Sequence, residues 1–346
     1  MAQWLRICAC VLASASMGLT LMAPRVAIGQ AVNPIEFNCG YTQGVNKDGT
    51  GGPYYVVGHG NGPSHTFTGF HVDTSVLPNS CGSLFSVPGS LSTLAYGISA
   101  DNFVVGRYQD SSGVWHGFVE NAANGSYLGF NASDHFPGGG FTLPTGMSIT
   151  DPTTHQAWIV GYYLINNTGA SHDFAAAINT TAPMSIAKWI SFDVVSSGFA
   201  TGPSIDGSQV QVAGSYRDSK TSEHGFVTAL ADLQSLPSGV GAVTVVPSSS
   251  IARIDCAGSS GTAIHGISNV GTVVGSALGG GTEGYAFFAG PPAGGWVKNN
   301  SYTPTCTQIP IPGASGHGQT WASGISSDGV FIVGQGGSVG SFLYKP

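Results

Sequence analysis

Residues 97–119 read GISADNFVVGRYQDSSGVWHGFV, and this stretch decides the fold. A glycine and an isoleucine lead into a short polar turn, an apolar run that ends in glycine, a polar loop and a second apolar run. The same order returns in residues 266–288, GISNVGTVVGSALGGGTEGYAFF, and in residues 324–344, GISSDGVFIVGQGGSVGSFLY. A unit that recurs in this way predicts a repeat architecture.

Three further copies of the unit are less regular. They begin as GVNKDG at Gly44, GMSITD at Gly146 and GPSIDG at Gly202. The first apolar run of each unit ends in a glycine, and these closing glycines are separated by 48, 55, 53, 61 and 59 residues. They are Gly58, Gly106, Gly161, Gly214, Gly275 and Gly334. A period near 50 residues with several short strands per unit predicts propeller blades rather than a helical solenoid.

Each unit is interpreted as four strands. The first ends at the GIS-type segment, and the turn after it, rich in Asp, Asn and Gly, is a hairpin signal. The second strand is the VVG run, rich in β-branched residues, and the third is the HGFV-like run. A fourth strand is suggested by LFSVPG at Leu84, ISFDVV at Ile190, ARIDC at Ala252 and TQIPIPG at Thr307.

The two ends of the chain predict how the repeats are joined. PIEFNC, which begins at Pro34, resembles the fourth-strand segments, whereas the chain ends on a third-strand segment, SFLYKP. We therefore predict an all-β, six-bladed β-propeller with four-stranded blades, whose last blade is closed by an N-terminal strand, Ile35 to Asn38. Such closure leaves no long exposed edge, which favours a closed propeller over an open β-solenoid.

The composition agrees with many short strands. The chain has 53 glycines, 42% hydrophobic residues and 8% charged residues. Low charge with substantial hydrophobicity is the opposite of the balance that keeps chains disordered. Glycine is costly inside helices but suits tight turns between strands.

The first 31 residues have the layout of a secretory signal peptide. Arg6 precedes an apolar run from Ile7 to Leu21, and Gly29 and Ala31 form a small-x-small cleavage pattern. The alternative is a membrane anchor, but this run is shorter than the about 20 residues that a span needs. We predict a signal peptide over 1–31, a single propeller domain over 32–346 and a secreted or periplasmic location.

The charge of the mature chain excludes some partners. Without Arg6 and Arg25, 8 basic residues face 17 acidic ones, a formal charge of −9. Nucleic-acid binders show a basic patch or stripe, and in the mature chain no two basic residues are adjacent. We expect neither a nucleic acid nor an anionic membrane surface as partner, and we expect a monomer.

Four cysteines remain after the signal peptide: Cys39, Cys81, Cys256 and Cys306. An even number in an oxidising compartment predicts two disulfides, with three connectivities open. We favour the nearest neighbours in sequence, Cys39–Cys81 and Cys256–Cys306. No pair has the CxxC spacing of a zinc or redox site.

The segments GISADNFVVG, GISNVGTVVG and GISSDGVFIVG, each followed by HGFV, AFF or SFLY, resemble the HAF-type bacterial extracellular repeats. That family is named for a His-Ala-Phe signature, and the resemblance extends over essentially the whole mature chain. It implies a secreted bacterial β-propeller, with no settled activity and no catalytic motif to transfer. Tyr285 and Ser341 replace the histidine of the signature, so the resemblance implies no ring of equivalent histidines.

Motifs of catalysis are absent from the sequence. It contains no HExxH zinc helix and no Walker-type phosphate loop, and its GxSxG match, GGSVG at residues 336–340, lies in the polar loop of the last unit rather than at a strand-to-helix turn. We therefore name no catalytic residue, no cofactor and no metal ligand. His116, His172 and His224 recur at equivalent points of different units, which favours a structural role over metal binding. The aspartates that recur four residues after the first glycine are interpreted as turn residues rather than calcium ligands. They are Asp48, Asp101, Asp206 and Asp328.

The candidate binding residues stand just before the first glycine of each unit. They are Gln43, Tyr96, Thr145, Thr201, His265 and Ser323. If the first strands are innermost, this set surrounds the axis near one mouth of the channel. Tyr96, His265 and the nearby Trp321 break the regularity of the ring, as a ligand site would require. The ligand-binding candidates are therefore Tyr96, His265, Trp321 and Gln43, and the alternative is sequence drift at solvated positions.

Two functions follow from this interpretation. The first is a secreted, non-enzymatic module that binds a glycan, a polymer or a surface protein. The second is a polysaccharide-acting hydrolase or lyase with its site at a propeller mouth. The second needs one mouth that is deep, acidic or rich in His and Tyr, and asymmetric. A carboxylate within hydrogen-bond reach of Tyr96 and His265 would favour it. Fold alone does not decide, because propellers host many unrelated functions.

Cleavage after Ala31 is the first testable consequence. The intact mass of exported protein should correspond to a chain that begins at Val32, because the small residues Gly29 and Ala31 suit signal peptidase. Residues 1–31 retained in a membrane fraction would contradict the signal-peptide interpretation.

Overall fold

The computed structural model describes residues 40–47, 52–61, 67–74, 82–165, 168–195, 204–206, 211–218, 222–238, 241, 243–279, 284–311, 319–336 and 340–346. Within these ranges, 25 strands form six sheets that follow one another along the chain. The protein is an all-β, six-bladed β-propeller with mostly four-stranded blades, which confirms the predicted fold class.

The strands take four successive positions in the blades. The innermost strands are β1 (Tyr41–Lys47), β5 (Ser92–Ile98), β9 (Gly139–Met147), β13 (Ser204–Ile205), β18 (Gly261–Ile267) and β23 (Thr320–Ile325). The second strands are β2 (Tyr54–Asn61), β6 (Phe103–Gln109), β10 (Gln156–Ile165), β14 (Gln211–Arg217), β19 (Val273–Leu278) and β24 (Ile332–Gly336).

The outer half of each blade begins with the HGFV-type strand. These third strands are β3 (Phe67–Asp73), β7 (Trp115–Asn121), β11 (Ser171–Asn179), β15 (Glu223–Ala229), β20 (Gly284–Ala289) and β25 (Gly340–Tyr344). The fourth strands are β4 (Ser83–Phe85), β8 (Ser126–Phe130), β12 (Ser185–Val194), β17 (Ala252–Ile254) and β22 (Thr307–Gln308). The four named fourth-strand segments are thus confirmed, and β8 is an addition to them.

Two blades carry a fifth strand that the repeat pattern does not show. β16 (Val243–Val246) pairs in parallel with β12, and β21 (Ser301–Tyr302) pairs in parallel with β17. The helical elements of the described chain are short: α1 (Leu230–Gln234) and two 3₁₀ turns, Ala132–Asp134 and Ser248–Ser250. Among the described residues, no helix has the length and apolarity needed to cross a membrane.

The hydrophobic core is divided among the interfaces between neighbouring blades. Phe103 and Val105 of blade two, for example, pack with Ile159 and Phe174 of blade three. The first and last blades also share a cluster, which includes Val45, Val56, Val333 and Leu343. Because side chains 288 positions apart are packed together at that interface, the ring of blades is closed by its core.

One cross-strand pair recurs in all six blades: the closing glycine of the second strand faces a phenylalanine of the third strand. The pairs are Gly58–Phe70, Gly106–Phe118, Gly161–Phe174, Gly214–Phe226, Gly275–Phe287 and Gly334–Phe342. These phenylalanines are 0–1% exposed. A Cβ on Gly106 would lie 2.8 Å from Cε1 of Phe118 and 2.0 Å from the Leu94 carbonyl oxygen of the inner strand. Glycine is therefore needed where both neighbours approach the second strand.

The register between the second and third strands corrects the histidine position that the sequence analysis assigned in the last blade. Gly340 pairs with Gly336 as His116 pairs with Tyr108, two residues before the phenylalanine in each case. Gly340, not Ser341, therefore stands at the histidine position of the last blade. Ser341 is fully buried: its Oγ accepts a hydrogen bond from Thr42 N at 2.9 Å and donates one to Gly40 O at 2.8 Å.

These contacts attach the beginning of β1 to the last blade, in which β23, β24 and β25 form a three-stranded sheet of described residues. Thr42 also donates from Oγ1 to Gly334 O at 2.9 Å. The predicted closing strand, Ile35 to Asn38, lies outside the described residues.

Of the two predicted disulfides, Cys256–Cys306 is confirmed, with a Cα–Cα distance of 5.4 Å. It connects the segment after β17 in blade four to the segment before β22 in blade five. Cys39 and Cys81 lie outside the described residues, so their pairing stays a prediction.

Gly106→Ala tests the recurrent glycine–phenylalanine pair. We expect a loss of about 1–3 kcal/mol in the free energy of unfolding, the usual cost of overpacking a filled core. Urea denaturation of both proteins measures it. Gly290→Ala is the matched control, because a Cβ there meets nothing within 4 Å. Equal destabilisation by the two substitutions would contradict the role given to Gly106.

Candidate functional site

Each regular inner strand contains a β-bulge at a predicted site residue, and the inner strand of blade three has a second irregularity nearer its start. In blade two, Ala95 pairs with Gly106 and Gly97 pairs with Val105, so Tyr96 is the extra residue. The same irregularity surrounds Gln43, Thr145, His265 and Ser323 in their blades. Bulges bend a strand and re-aim a side chain. In each of these five blades, the bulge residue lines the axial channel.

The bulge residues share a cavity of about 200 Å³ at the end of the channel where the inner strands begin. Its lining consists of Gln43, Tyr96, Leu143, Thr145, Tyr162, His265, Trp321 and Ser323. The structure thus brings together all four predicted binding residues. This volume is below the about 300–1,000 Å³ that is usual for pockets of drug-sized ligands.

Beyond the bulges, the channel narrows because the next residue of each regular unit is glycine. A Cβ on Gly97 would lie 2.7 Å from the Thr145 carbonyl oxygen and 3.3 Å from Cα of Gly146. Neighbouring inner strands therefore touch by their backbones at this level. The constriction therefore forms the inner end of the cavity.

Blade four departs from the predicted register by two residues. Ser204 pairs with Ala213 as Gly97 pairs with Val105, so Ser204 takes the place assigned to Gly202. Thr201 is therefore not the counterpart of Tyr96, and it lies outside the described residues. Asp206 takes the place of Ser99: it accepts a hydrogen bond from Gln211 N at 3.1 Å, as Ser99 does from Phe103 N at 3.0 Å. Asp206 is thus a turn residue, as predicted, but it stands two positions before the place of Asp101, so its predicted equivalence with Asp101 was wrong.

A second ring of residues follows the closing glycines and was missed by the sequence analysis. It consists of His59, Arg107, Tyr162, Ser215, Ser276 and Gln335. Three adjacent blades contribute the large side chains of this ring, and the other three contribute serine or glutamine. The signal was present in the repeat, at the position directly after each closing glycine. Tyr162 lines the cavity and adds a third aromatic side chain to those of Tyr96 and Trp321.

Arg107 lies beside the cavity among aromatic rings. Its Cζ atom is 4.5 Å from the ring centroid of Trp115, 4.7 Å from that of Phe141 and 5.8 Å from that of Tyr96. The rings of Phe141 and Tyr162 are 6.0 Å apart, which continues the aromatic group to the cavity wall. Such cation–π contacts favour a fixed guanidinium.

The titratable side chains of the lining are neutral at pH 7. Burial lowers the pKa of His265 to about 4, and its Nε2 lies 3.4 Å from Ser276 Oγ. Burial raises the pKa of Tyr96, an effect that the charge and hydrogen bond of Arg107 oppose. Burial likewise raises the pKa of Tyr162. The lining contains no aspartate or glutamate among the described residues.

The histidines of the third strands have structural partners inside their own blades. His116 lies 2.9 Å from Asp110 Oδ2 through Nε2 and 2.7 Å from Asn131 Oδ1 through Nδ1. His172 Nδ1 lies 2.8 Å from Asp193 Oδ1. His224 Nδ1 lies 2.7 Å from Asp255 Oδ1. Each histidine thereby fixes the outer part of one blade.

Two of the recurrent aspartates confirm the turn interpretation. Asp101 Oδ1 accepts from Ser99 Oγ at 2.6 Å, and Asp328 Oδ1 accepts from Ser326 Oγ at 2.7 Å. Asp101 Oδ2 also accepts from Thr150 N at 3.0 Å and so joins blades two and three. Asp48 lies outside the described residues. Across the described ranges, no group of three His, Cys, Asp or Glu side chains is placed to hold a metal ion.

Several solved structures are similar to the chain. Sqt1 from Chaetomium thermophilum aligns at a TM-score of 0.38 and 10% identity, over 89% of this chain and 70% of that one. A triple arginine-to-alanine variant of AofleA from Arthrobotrys oligospora aligns at 0.44 and 10% identity, over 90% and 85%. A xylan β-1,4-xylosidase from Bacillus halodurans aligns at 0.37 and 13% identity, over 90% and 53%. No family model and no curated protein matches the chain. At these scores the similarities carry no functional argument.

The low pKa of His265 makes stability depend on pH. Between pH 6.5 and about 4, the unfolded histidine takes up a proton that the folded one does not, so the free energy of unfolding falls as the pH falls. Between pH 7 and pH 4.5, we expect the free energy of unfolding of His265→Gln to fall by on the order of 1–3 kcal/mol less than that of the wild type. Denaturation at pH 7 and pH 4.5 measures it. His155→Gln, at an exposed histidine, is the control. An unchanged pH dependence in His265→Gln would contradict the buried neutral state.

Proposed function

We propose that this protein is a non-enzymatic binding module that holds a glycan in the cavity at the start of the inner strands. The observation that carries this proposal is the composition of the lining. Tyr96, Tyr162 and Trp321 supply aromatic surface, while Gln43 and His265 supply hydrogen-bonding groups that are uncharged at pH 7.

A sugar ring has the complementary chemistry. Its C–H faces are apolar and pack on aromatic rings, whereas its hydroxyl groups both donate and accept hydrogen bonds. Tyrosine and tryptophan combine an apolar body with one polar group, and the amide of Gln43 offers two donors and an acceptor. Pockets that orient small ligands share this pattern of apolar walls with a few polar groups.

The hydrolase alternative has less support. Glycoside hydrolysis generally uses a pair of carboxylates at the scissile bond. The described lining provides none, and Asp173, the acid that influences Tyr162, is only 2% exposed on the third strand. We therefore favour binding over hydrolysis, and an assay for cleavage tests the lyase alternative, which needs no carboxylate pair.

We also infer that the protein acts outside the cytoplasm and is related to the HAF-type repeats. The signal-like segment 1–31 supports export, and the Cys256–Cys306 disulfide suits an oxidising compartment. The repeated GIS, VVG and HGFV-like segments support the relationship to that family.

Trp321→Ala tests the proposed site. Binding of the mature protein to a panel of neutral and acidic oligosaccharides is measured by isothermal titration calorimetry. We expect Trp321→Ala to weaken binding at least about tenfold, because removal of a central aromatic contact usually costs more than about 1.4 kcal/mol.

Tyr127→Ala is the control for this experiment, since Tyr127 is 44% exposed on the outer strand β8. It should bind as the wild type does. The proposal fails if the wild type binds no oligosaccharide, or if Tyr127→Ala and Trp321→Ala weaken binding equally. Parallel assays for released reducing ends should show no cleavage; turnover would favour the enzymatic alternative.

A further inference from the structure

Arg107 is a cation that no acidic side chain of the described ranges neutralises. Among the described residues, no aspartate or glutamate lies within ion-pair range of it. Its Nε atom is buried and has no hydrogen-bond partner. By contrast, Arg253 lies 2.7 Å from Asp255 and Lys298 lies 3.2 Å from Asp232. In a chain with an excess of acidic residues, an unpaired guanidinium at a cavity requires an explanation.

Aromatic rings, rather than a carboxylate, hold Arg107 in place. Trp115 of the same blade and Phe141 of the next lie on it at 4.5 and 4.7 Å, and the ring of Tyr96, which lines the cavity, lies 5.8 Å from it. Stacked arginines lose little conformational freedom on binding, because their planar donor groups are already oriented. This arrangement resembles a prepared anion site more than a structural ion pair.

The equivalent positions of the other blades show that the fold does not need an arginine here. They carry His59, Tyr162, Ser215, Ser276 and Gln335, each directly after its closing glycine. Arg107 also pairs with Leu94 and Gly117 through the backbone alone, as any residue in β6 would. Its side chain is therefore specific to the junction of blades two and three at the cavity.

We propose that Arg107 binds a carboxylate of the ligand, so that the cavity prefers acidic glycans built from uronic acids to neutral ones. The proposal rests on the function proposed above and specifies its substrate class. The sugar ring would pack on Tyr162 and Trp321, while its carboxylate would accept hydrogen bonds from the guanidinium. Arginine suits this partner because its paired N–H groups match the two carboxylate oxygens.

The test compares each uronic acid oligomer with its carboxyl-reduced counterpart, in which every carboxylate is replaced by a hydroxymethyl group. Galacturonate, glucuronate and mannuronate tetramers are titrated into the mature protein by calorimetry. We expect at least one acidic tetramer to bind about tenfold or more tightly than its reduced form, and this preference to decrease with added salt.

Three variants test whether Arg107 causes the preference for acidic over reduced oligomers. Arg107→Gln should abolish it and weaken binding of acidic oligomers more than that of reduced ones, and Arg107→Lys should keep part of it, since lysine retains the charge without the paired donors. Arg253→Gln, at an ion-paired arginine of blade four, should behave as the wild type. The melting temperature of each variant shows whether it is folded.

The outcomes separate this inference from the proposed function. If Trp321→Ala weakens binding but Arg107→Gln does not alter the acidic preference, the cavity binds glycans and the role of Arg107 is wrong. If reduced oligomers bind as tightly as acidic ones, the carboxylate preference is also wrong. If no oligomer binds, both proposals fail. Should Arg107→Gln not fold, persistence of the full preference in Arg107→Lys would still overturn the paired-donor geometry.

Discussion

The contact between the closing glycine and the third-strand phenylalanine is the constraint on which the rest of the structure depends. At Gly106, the ring of Phe118 and the Leu94 carbonyl oxygen both approach the position that a Cβ would occupy. The inner strand can approach so closely only because the second strand has no side chain there. In the inner strand, the bulge residue Tyr96 comes two residues after Leu94. Gly97, at the constriction, follows it directly. The core and the channel therefore follow from the same backbone geometry.

This arrangement separates stability from recognition. The phenylalanines and the residues around them fill the interfaces between blades, where close packing leaves little freedom to vary. The bulge positions face the channel instead, and Tyr162, directly after a closing glycine, lines the cavity, so these side chains can change from blade to blade without disturbing the core. Tyr96, Arg107 and Tyr162 occupy such positions in two adjacent blades. The asymmetry of the cavity arises from these substitutions on a regular frame.

The sequence predicted the fold well because the repeat depends on a few positions that tolerate little substitution. The first-strand, VVG and HGFV-like segments can be recognised from the residues at these positions. It also identified Tyr96, His265, Trp321 and Gln43, because innermost strands must surround the axis.

It could not show the bulges, since a bulge is a property of strand register. In blade four a two-residue shift misplaced Asp206 and Thr201, because the glycine in GPSIDG imitates the first glycine of the unit. The parallel strands β16 and β21 were missed because they lie outside the repeat. Arg107 and Tyr162 were missed because their roles depend on side chains from a neighbouring blade.

The central claim is that the channel end where the inner strands begin is a glycan site whose chemistry is set by the bulge and second-ring residues. A crystal structure of the mature protein with a bound uronic acid tetramer tests it most directly. The account predicts a sugar ring against Tyr162 and Trp321, with a carboxylate oxygen within hydrogen-bond distance of the Arg107 guanidinium. A tetramer bound on the outer strands, or at the opposite end of the channel, would contradict it.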